Sequence, residues 1–366
     1  MALSKKHTVL ISGLLILMMQ FLFLNSSSQS RLTDFKDLDG TRFTYSFVDP
    51  SDSLSSPEII ELRDEIGIPV WFGRDFRKVV CLTGQCRLVH LWIFWDGAGN
   101  YLGFQEHPGE PLTKTDHTFF TAADYQKLQG ILADSVSVLK HLKQEELIVK
   151  PEKHEGKVDA VSSATQPSLK EYLVKNAAYT CYTLWHTVYG ITRNGIVRLL
   201  EERGDEKYLK LIFEKNDATY LRWAIDFIGR NPEYHSTFYR QLIGLIKSKD
   251  EILSQRALNC FSKCRLSDTA LQKELILSFE DFAYQRKFEL LWKLSEVQYI
   301  DNGVILHLLD LFEKEQMNAS LLGYAYKLIR PENLKDPRIK KKLNSFVIHK
   351  NLYVRNITQK VLENNL

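Results

Sequence analysis

From about Thr41 to Phe104 the chain carries most of its β-strand signals, whereas from Ile191 to Leu366 it shows no strand signal at all. Apolar residues first alternate, with a period of about 2, and later recur at the period of about 3.6 that marks a helix buried on one face. No single sheet or bundle satisfies both patterns. The expected fold class is therefore an α+β N-terminal domain, an antiparallel sheet plus helices, followed by an all-α region. The length of 366 residues leaves room for two or three domains. With 44% hydrophobic and 25% charged residues the chain is globular in composition. The formal net charge is +3. Lys5 and Lys6 lie at the extreme N-terminus, and the remainder has no basic block, so no nucleic-acid partner is expected.

Lys5-Lys6 precede an uncharged apolar run from Thr8 to Leu24, then Asn-Ser-Ser-Ser-Gln-Ser. The run falls between the ~7–15 residues of a signal-peptide core and the roughly 20 of a spanning helix. It is read as a signal peptide or N-terminal membrane anchor, residues 1–30, with the lysines held in the cytoplasm and the body exported. An extracytoplasmic location follows, periplasmic or in the cell envelope, with the inner membrane as the site of any anchor. Cys81 and Cys86, separated by Leu-Thr-Gly-Gln and flanked by apolar β-type runs, suggest a hairpin with its sulfurs opposed. In an oxidising compartment they are a disulfide candidate. One C-x4-C pair without a second pair is a poor zinc signature, and no metal site is expected. Cys260 and Cys264 read as core residues of a helix.

Within residues 31–175, Thr41–Val48 alternates as a strand, Glu58–Glu65 suggests a short helix, and Lys78–Leu82 and Arg87–Trp95 read as strands. Asp96-Gly-Ala-Gly-Asn100 is a turn signal before Tyr101–Phe104. Trp92 and Trp95 lie three apart on one strand and point to opposite faces. Thr121-Ala-Ala-Asp124 caps a helix whose buried face carries Tyr125, Leu128, Ile131 and Leu132. A second short helix follows at Val136, Leu139 and Leu142. Then comes Asp159-Ala-Val-Ser162-Ser163-Ala164-Thr165, a loop of small residues, and Ser168-Leu-Lys-Glu171 has the form of a capping box that starts a helix. Thr165 would stand just ahead of that helix, whose unpaired N–H groups favour a phosphate. The aromatic stretch from Asn176 to Gly190 reads as a junction helix, and His186 is a weaker ligand candidate.

The spacing D-x-x-S-S-A-T resembles the attachment motif of the FMN-binding domain family, in which a flavin transferase joins FMN through a phosphoester to the last threonine. Asp159, Ser162, Ala164 and Thr165 match; Ser163 stands where the family most often has Gly. The order of sheet, helices and loop from about Val79 to Lys170 is similar too. The resemblance implies FMN bound covalently to Thr165, with Asp159, Ser162, Ser163 and Ala164 shaping the loop. Lys114, for a phosphate, and His117, for the ring, are further candidates, and Trp92 or Trp95 is a candidate to stack on the isoalloxazine.

From Ile191 onward, Asp217…Arg222, Asp250…Arg256, Asp281…Arg286 and Asn351…Arg355 each precede an apolar helix. Their mean spacing of about 33 residues is the scale of a two-helix repeat. The stretch resembles HEAT-like repeats, which implies an α-solenoid offering a surface to another protein. The expected organisation is thus a leader or anchor (1–30), an FMN-binding-like domain (31–175), a junction helix (176–190) and a HEAT-like α-solenoid (191–366). No catalytic set of side chains is visible. The expectation is an exported electron-transfer flavoprotein, not a stand-alone enzyme, docked to an unknown redox partner. The alternative is an extracytoplasmic interaction scaffold whose flavin domain no longer carries flavin.

Overall fold

The computed structural model describes residues 35–50, 52–80, 87–147 and 167–364. Five strands, β1 (Thr41–Ser46), β2 (Glu58–Arg63), β3 (Pro69–Lys78), β4 (Val89–Asp96) and β5 (Tyr101–Glu106), form one antiparallel sheet in chain order. An antiparallel meander needs only short connections, and the turn signals supply them. Asp96 organises the β4–β5 turn: its carboxylate accepts from the Ala98 and Asn100 amides, both at 2.9 Å. Burial raises the Asp96 pKa against the pull of those bonds.

Three strand readings change: of Lys78–Leu82 only Lys78 is in a strand, Val79 and Val80 are in none, and Cys81 and Leu82 lie outside the described residues. Glu58–Glu65 is not a helix; Glu58–Arg63 is β2, paired with β1 on one side and β3 on the other. Ile59 and Leu62 are fully enclosed on opposite faces of the sheet, a two-sided burial that a surface helix cannot provide. The longest strand, β3, was not expected, because Gly73, Arg74 and Asp75 dilute its strand signal. Gly73 and Arg74 have a reason in the core. A Cβ at Gly73 would lie 3.0 Å from the Phe94 ring. Arg74 is buried, with its guanidinium donating to the Ser56 carbonyl and the Thr192 hydroxyl, both at 2.9 Å.

The faces of the sheet differ in what covers them. One carries Phe72, Phe76, Leu91, Ile93, Trp95 and Phe104, all buried. It turns toward helices α1 (Ala122–Ala133) and α2 (Ala178–Val188), and the Trp95 indole donates to the Val188 carbonyl at 2.9 Å. The other carries Trp71 and Phe94 under Phe35 and Leu38 at one end, and Asp75, His90 and Trp92, half-buried, at the other.

The capping box of α1 is present as expected: Thr121 Oγ1 accepts from the Asp124 amide, and Asp124 Oδ2 accepts from the Thr121 amide. The second short helix is a pair of 3-10 turns, Val138–His141 and Gln144–Glu146. Ser168 does not cap an α-helix. It lies inside a 3-10 turn, Pro167–Leu169, and the next α-helix begins only at Ala178. Pro167 and the burial of Leu169, Leu173 and Val174 explain the turn-by-turn descent of this segment.

The chain divides into two compact units after Arg198, inside helix α3 (Ile191–Arg203). The helix expected as a junction therefore packs within the first unit, where it meets α1. Gly190 separates α2 from α3 tightly; a Cβ there would lie 2.2 Å from the His186 carbonyl oxygen.

The second unit is helical throughout its described length. Helices α4 (Glu206–Lys215), α5 (Ala218–Arg230), α6 (His235–Ile246), α7 (Glu251–Asn259), the one-turn α8 (Lys263–Leu266), α9 (Thr269–Leu277), α10 (Tyr284–Ser295), α11 (Asn302–Glu313), α12 (Ala319–Tyr326), α13 (Pro337–Val347) and α14 (Leu352–Asn364) follow one another through short polar turns. Asp205, Asp217, Asp250, Asp268, Asp301 and Asp336 each cap the helix that follows, satisfying amides that have no partner within the helix. Packing runs in two series, α5 on α7, α7 on α10, α10 on α12 and α12 on α14, and α9 on α11 and α11 on α13. No described helix is long and apolar enough to cross a membrane.

Candidate functional site

Asp159, Ser162, Ser163, Ala164 and Thr165 lie outside the described residues, as do Cys81 and Cys86 and the leader. The chain on both sides of the motif is placed, and it is anchored. Leu147 before it and Leu169 after it are both buried in the first unit. The β3–β4 hairpin that carries the two cysteines closes with the pair Lys78↔Val89.

Lys114 and His117 fall in one turn, between the bridge partners Thr113 and Phe119. The Lys114 amide donates to the Thr118 carbonyl at 2.8 Å, and the His117 amide donates to the Lys114 carbonyl at 2.9 Å. His117 has a positive φ of 62° and an exposed side chain. Lys114 Nζ sits 2.8 Å from Asp124 Oδ2. That hydrogen bond, with those from Thr121, holds the Asp124 carboxyl down at about 2. The ammonium is thereby occupied in tying the turn to the start of α1. The same turn grips the chain that leaves the motif: the Thr115 amide and hydroxyl donate to the Asn176 carbonyl at 2.7 and 2.9 Å, and the Asn176 amide group donates to Asp116 Oδ2 at 3.0 Å. Lys127 of α1 reaches the Lys170 carbonyl at 3.3 Å.

Trp92 and Trp95 face opposite sides of the sheet, as strand periodicity requires. Trp95 is fully buried with its N–H satisfied, which makes it a core residue. Trp92 is half-buried beside Phe94 and His107, with Lys36 Nζ 4.4 Å from its ring centroid. His186 lines a cavity of about 540 Å³ in the first unit together with Tyr101, Lys140, Trp185, Tyr189 and Arg193. That is within the usual range for small-molecule pockets, about 300–1,000 Å³. Its Nε2 lies 3.1 Å from the Leu139 carbonyl, so that nitrogen carries the hydrogen, and burial lowers its pKa below the ordinary value. A single neutral imidazole bonded to a carbonyl is a packed, oriented residue. Trp185 is similarly fixed, donating to the Asp134 carbonyl at 2.8 Å.

The densest group of chemically active side chains in the described residues is one the sequence reading did not assemble. Asp75 of β3, His90 of β4 and His107, one residue past β5, converge on the sheet face away from α1 and α2. Asp75 Oδ1 lies 2.9 Å from His107 Nε2 and 3.1 Å from His90 Nε2. The two imidazoles stack with centroids 3.7 Å apart and planes 23° from parallel. Glu110 Oε2 lies 2.6 Å from His90 Nδ1. No local pattern links positions 75, 90, 107 and 110; only the β3–β4–β5 register does, through Asp75↔Trp92 and Trp92↔Gln105. The available signal was His90 near the start of the otherwise apolar run Val89–Trp95; Asp75, among Arg74, Arg77 and Lys78, gave none.

No protein-family model matches this chain, and a search of curated proteins found no match.

Proposed function

We propose that this protein is an exported electron carrier that holds FMN covalently on Thr165. The observation that carries this reading is the motif Asp159…Ser162-Ser163-Ala164-Thr165 itself, on a segment whose two ends, Leu147 and Leu169, are buried in one unit. The turn of Lys114 and His117 adjoins the chain leaving the motif through Asn176. A covalent phosphoester keeps the cofactor with the protein outside the cell, where a dissociated flavin is lost by dilution. The redox chemistry belongs to the flavin, and the protein orients and tunes it.

For the second unit we propose a HEAT-like array that docks a redox partner. Support comes from the recurrent Asp caps, the packing of helices on those two places along in the α10–α12–α14 and α9–α11–α13 series, and the Arg222–Asp250 pair at 3.1 Å, which joins two copies of the pattern.

Co-expression with a flavin transferase should yield a protein that stays fluorescent after denaturation, with the mass of one FMN on the peptide containing Thr165. Thr165→Ala should be colourless. A fluorescent Thr165→Ala variant would place the flavin elsewhere. A colourless wild-type chain from its native host, with an unmodified peptide, would decide for the interaction scaffold.

A further inference from the structure

We propose that Asp75, His90 and His107 form a binding site for one divalent transition-metal ion, zinc being the ion that suits them best, with Glu110 as the orienting partner of His90.

The argument begins with hydrogens. A neutral imidazole carries one N–H and one lone pair. Both ring nitrogens of His90 face carboxylate oxygens, Nδ1 toward Glu110 Oε2 at 2.6 Å and Nε2 toward Asp75 Oδ1 at 3.1 Å. A hydrogen on Nδ1 satisfies Glu110 and leaves the Nε2 lone pair aimed at an anionic oxygen. The Nε2 of His107 comes to the same oxygen at 2.9 Å. Three atoms able to ligate a metal, from β3, β4 and the residue after β5, thus lie together, all within 4.8 Å of one another. A cation among them removes the conflict.

The geometry is close to what an ion needs. Zinc binds histidine nitrogen and carboxylate oxygen at about 2.0–2.2 Å, which separates tetrahedral donors by roughly 3.3 Å. From the observed 2.9 and 3.1 Å the carboxylate–imidazole separations need widen by only a few tenths of an ångström, and the two stacked imidazoles must swivel out of their near-parallel arrangement so that both lone pairs aim at the ion. Glu110 on the far nitrogen of His90 is the arrangement that fixes a ligand tautomer and strengthens its basicity. Two nitrogens and one oxygen suit a borderline ion such as zinc better than calcium or magnesium. The three side chains are 17–28% exposed, so an ion held by them keeps a position open to solvent for water or a further ligand. This site is independent of the flavin, with Asp75 on β3, His90 on β4 and His107 just after β5.

The test uses the full-length untagged protein, made without a flavin transferase so that no yellow cofactor interferes, and stripped with chelator. Titration with Zn²⁺ by calorimetry should show one ion per chain. Co²⁺ should give visible d–d bands without thiolate charge-transfer bands. His90→Ala and His107→Ala should each abolish binding at the concentrations that saturate the wild type. Glu110→Gln should weaken it about 10–100-fold with unchanged stoichiometry. Should an alanine variant fail to fold, the wild-type histidine side-chain resonances carry the test, two of them shifting on addition of Zn²⁺. The proposal is overturned if neither ion binds saturably, if binding survives His90→Ala and His107→Ala, or if cobalt shows thiolate bands, which would put the ion on Cys81 and Cys86.

Discussion

Arg74 shows how much one misfit residue can hold. In a strand otherwise lined by Phe72 and Phe76 it donates to Ser56 and Thr192, lies 3.7 and 3.9 Å from Asp52 and Asp49, and faces the Phe47 ring. Burial lowers its pKa against the pull of those two carboxylates, so the interaction is real but bought with desolvation. Arg74→Ala should cost about 3–5 kcal/mol, because it leaves buried acceptors and carboxylates uncompensated; a urea midpoint unchanged from wild type would show that water replaces the guanidinium. His186 and His235 set the pH dependence. Burial lowers both pKa values, with Arg265 adding to the effect at His235. Between the depressed folded value and the unfolded value of about 6.5, the unfolded chain binds protons that the folded chain refuses. Their contribution is therefore complete above about pH 6.5 and declines as the pH falls below it. Denaturant midpoints measured from pH 8 to 5 should fall on the acid side, less steeply in His186→Gln.

Among the elements, those set by local chemistry were legible. The Thr121/Asp124 box announces α1, and Thr121→Ala should cost about 1 kcal/mol by the loss of that cap, read as a lower thermal midpoint. Strand β1 alternates, and β4 and β5 show themselves by β-branched and aromatic residues on either side of the Asp96–Asn100 turn. The segment Glu58-Ile-Ile-Glu-Leu-Arg does not, since its charges and leucine suit a helix as well. It became a strand because β1 and β3 flank it. Ser168 shows the converse failure: its capping pattern is real in sequence, but Pro167 and three buried residues downstream hold the segment in turns. Gly190→Ala should destabilise the first unit by about 1–3 kcal/mol, the usual cost of overpacking, since its Cβ meets the His186 carbonyl. A wild-type midpoint for that variant would mean the α2–α3 turn relaxes freely.

For the whole molecule, the division after Arg198 predicts where damage spreads. Leu322 of α12 is completely buried, and α12 packs on α10, α11 and α14. Leu322→Ala should cost about 2–5 kcal/mol. Hydrogen exchange should quicken in those helices and leave the amides of β2, β3 and β4 protected. Equal acceleration in the sheet would show that the two units unfold as one.

Position along the chain determined a good deal here: a sheet-forming part before a helical part, and the aspartate caps. Those features depend on residues no more than a turn or two apart, so periodicity and side-chain chemistry suffice to read them. Whether Glu58–Arg63 is strand or helix, why an arginine lies in the core, and that Asp75, His90 and His107 touch were decided by tertiary structure. Backbone pairing sets the strand register, and a slip of one residue would turn each of those side chains to the opposite face.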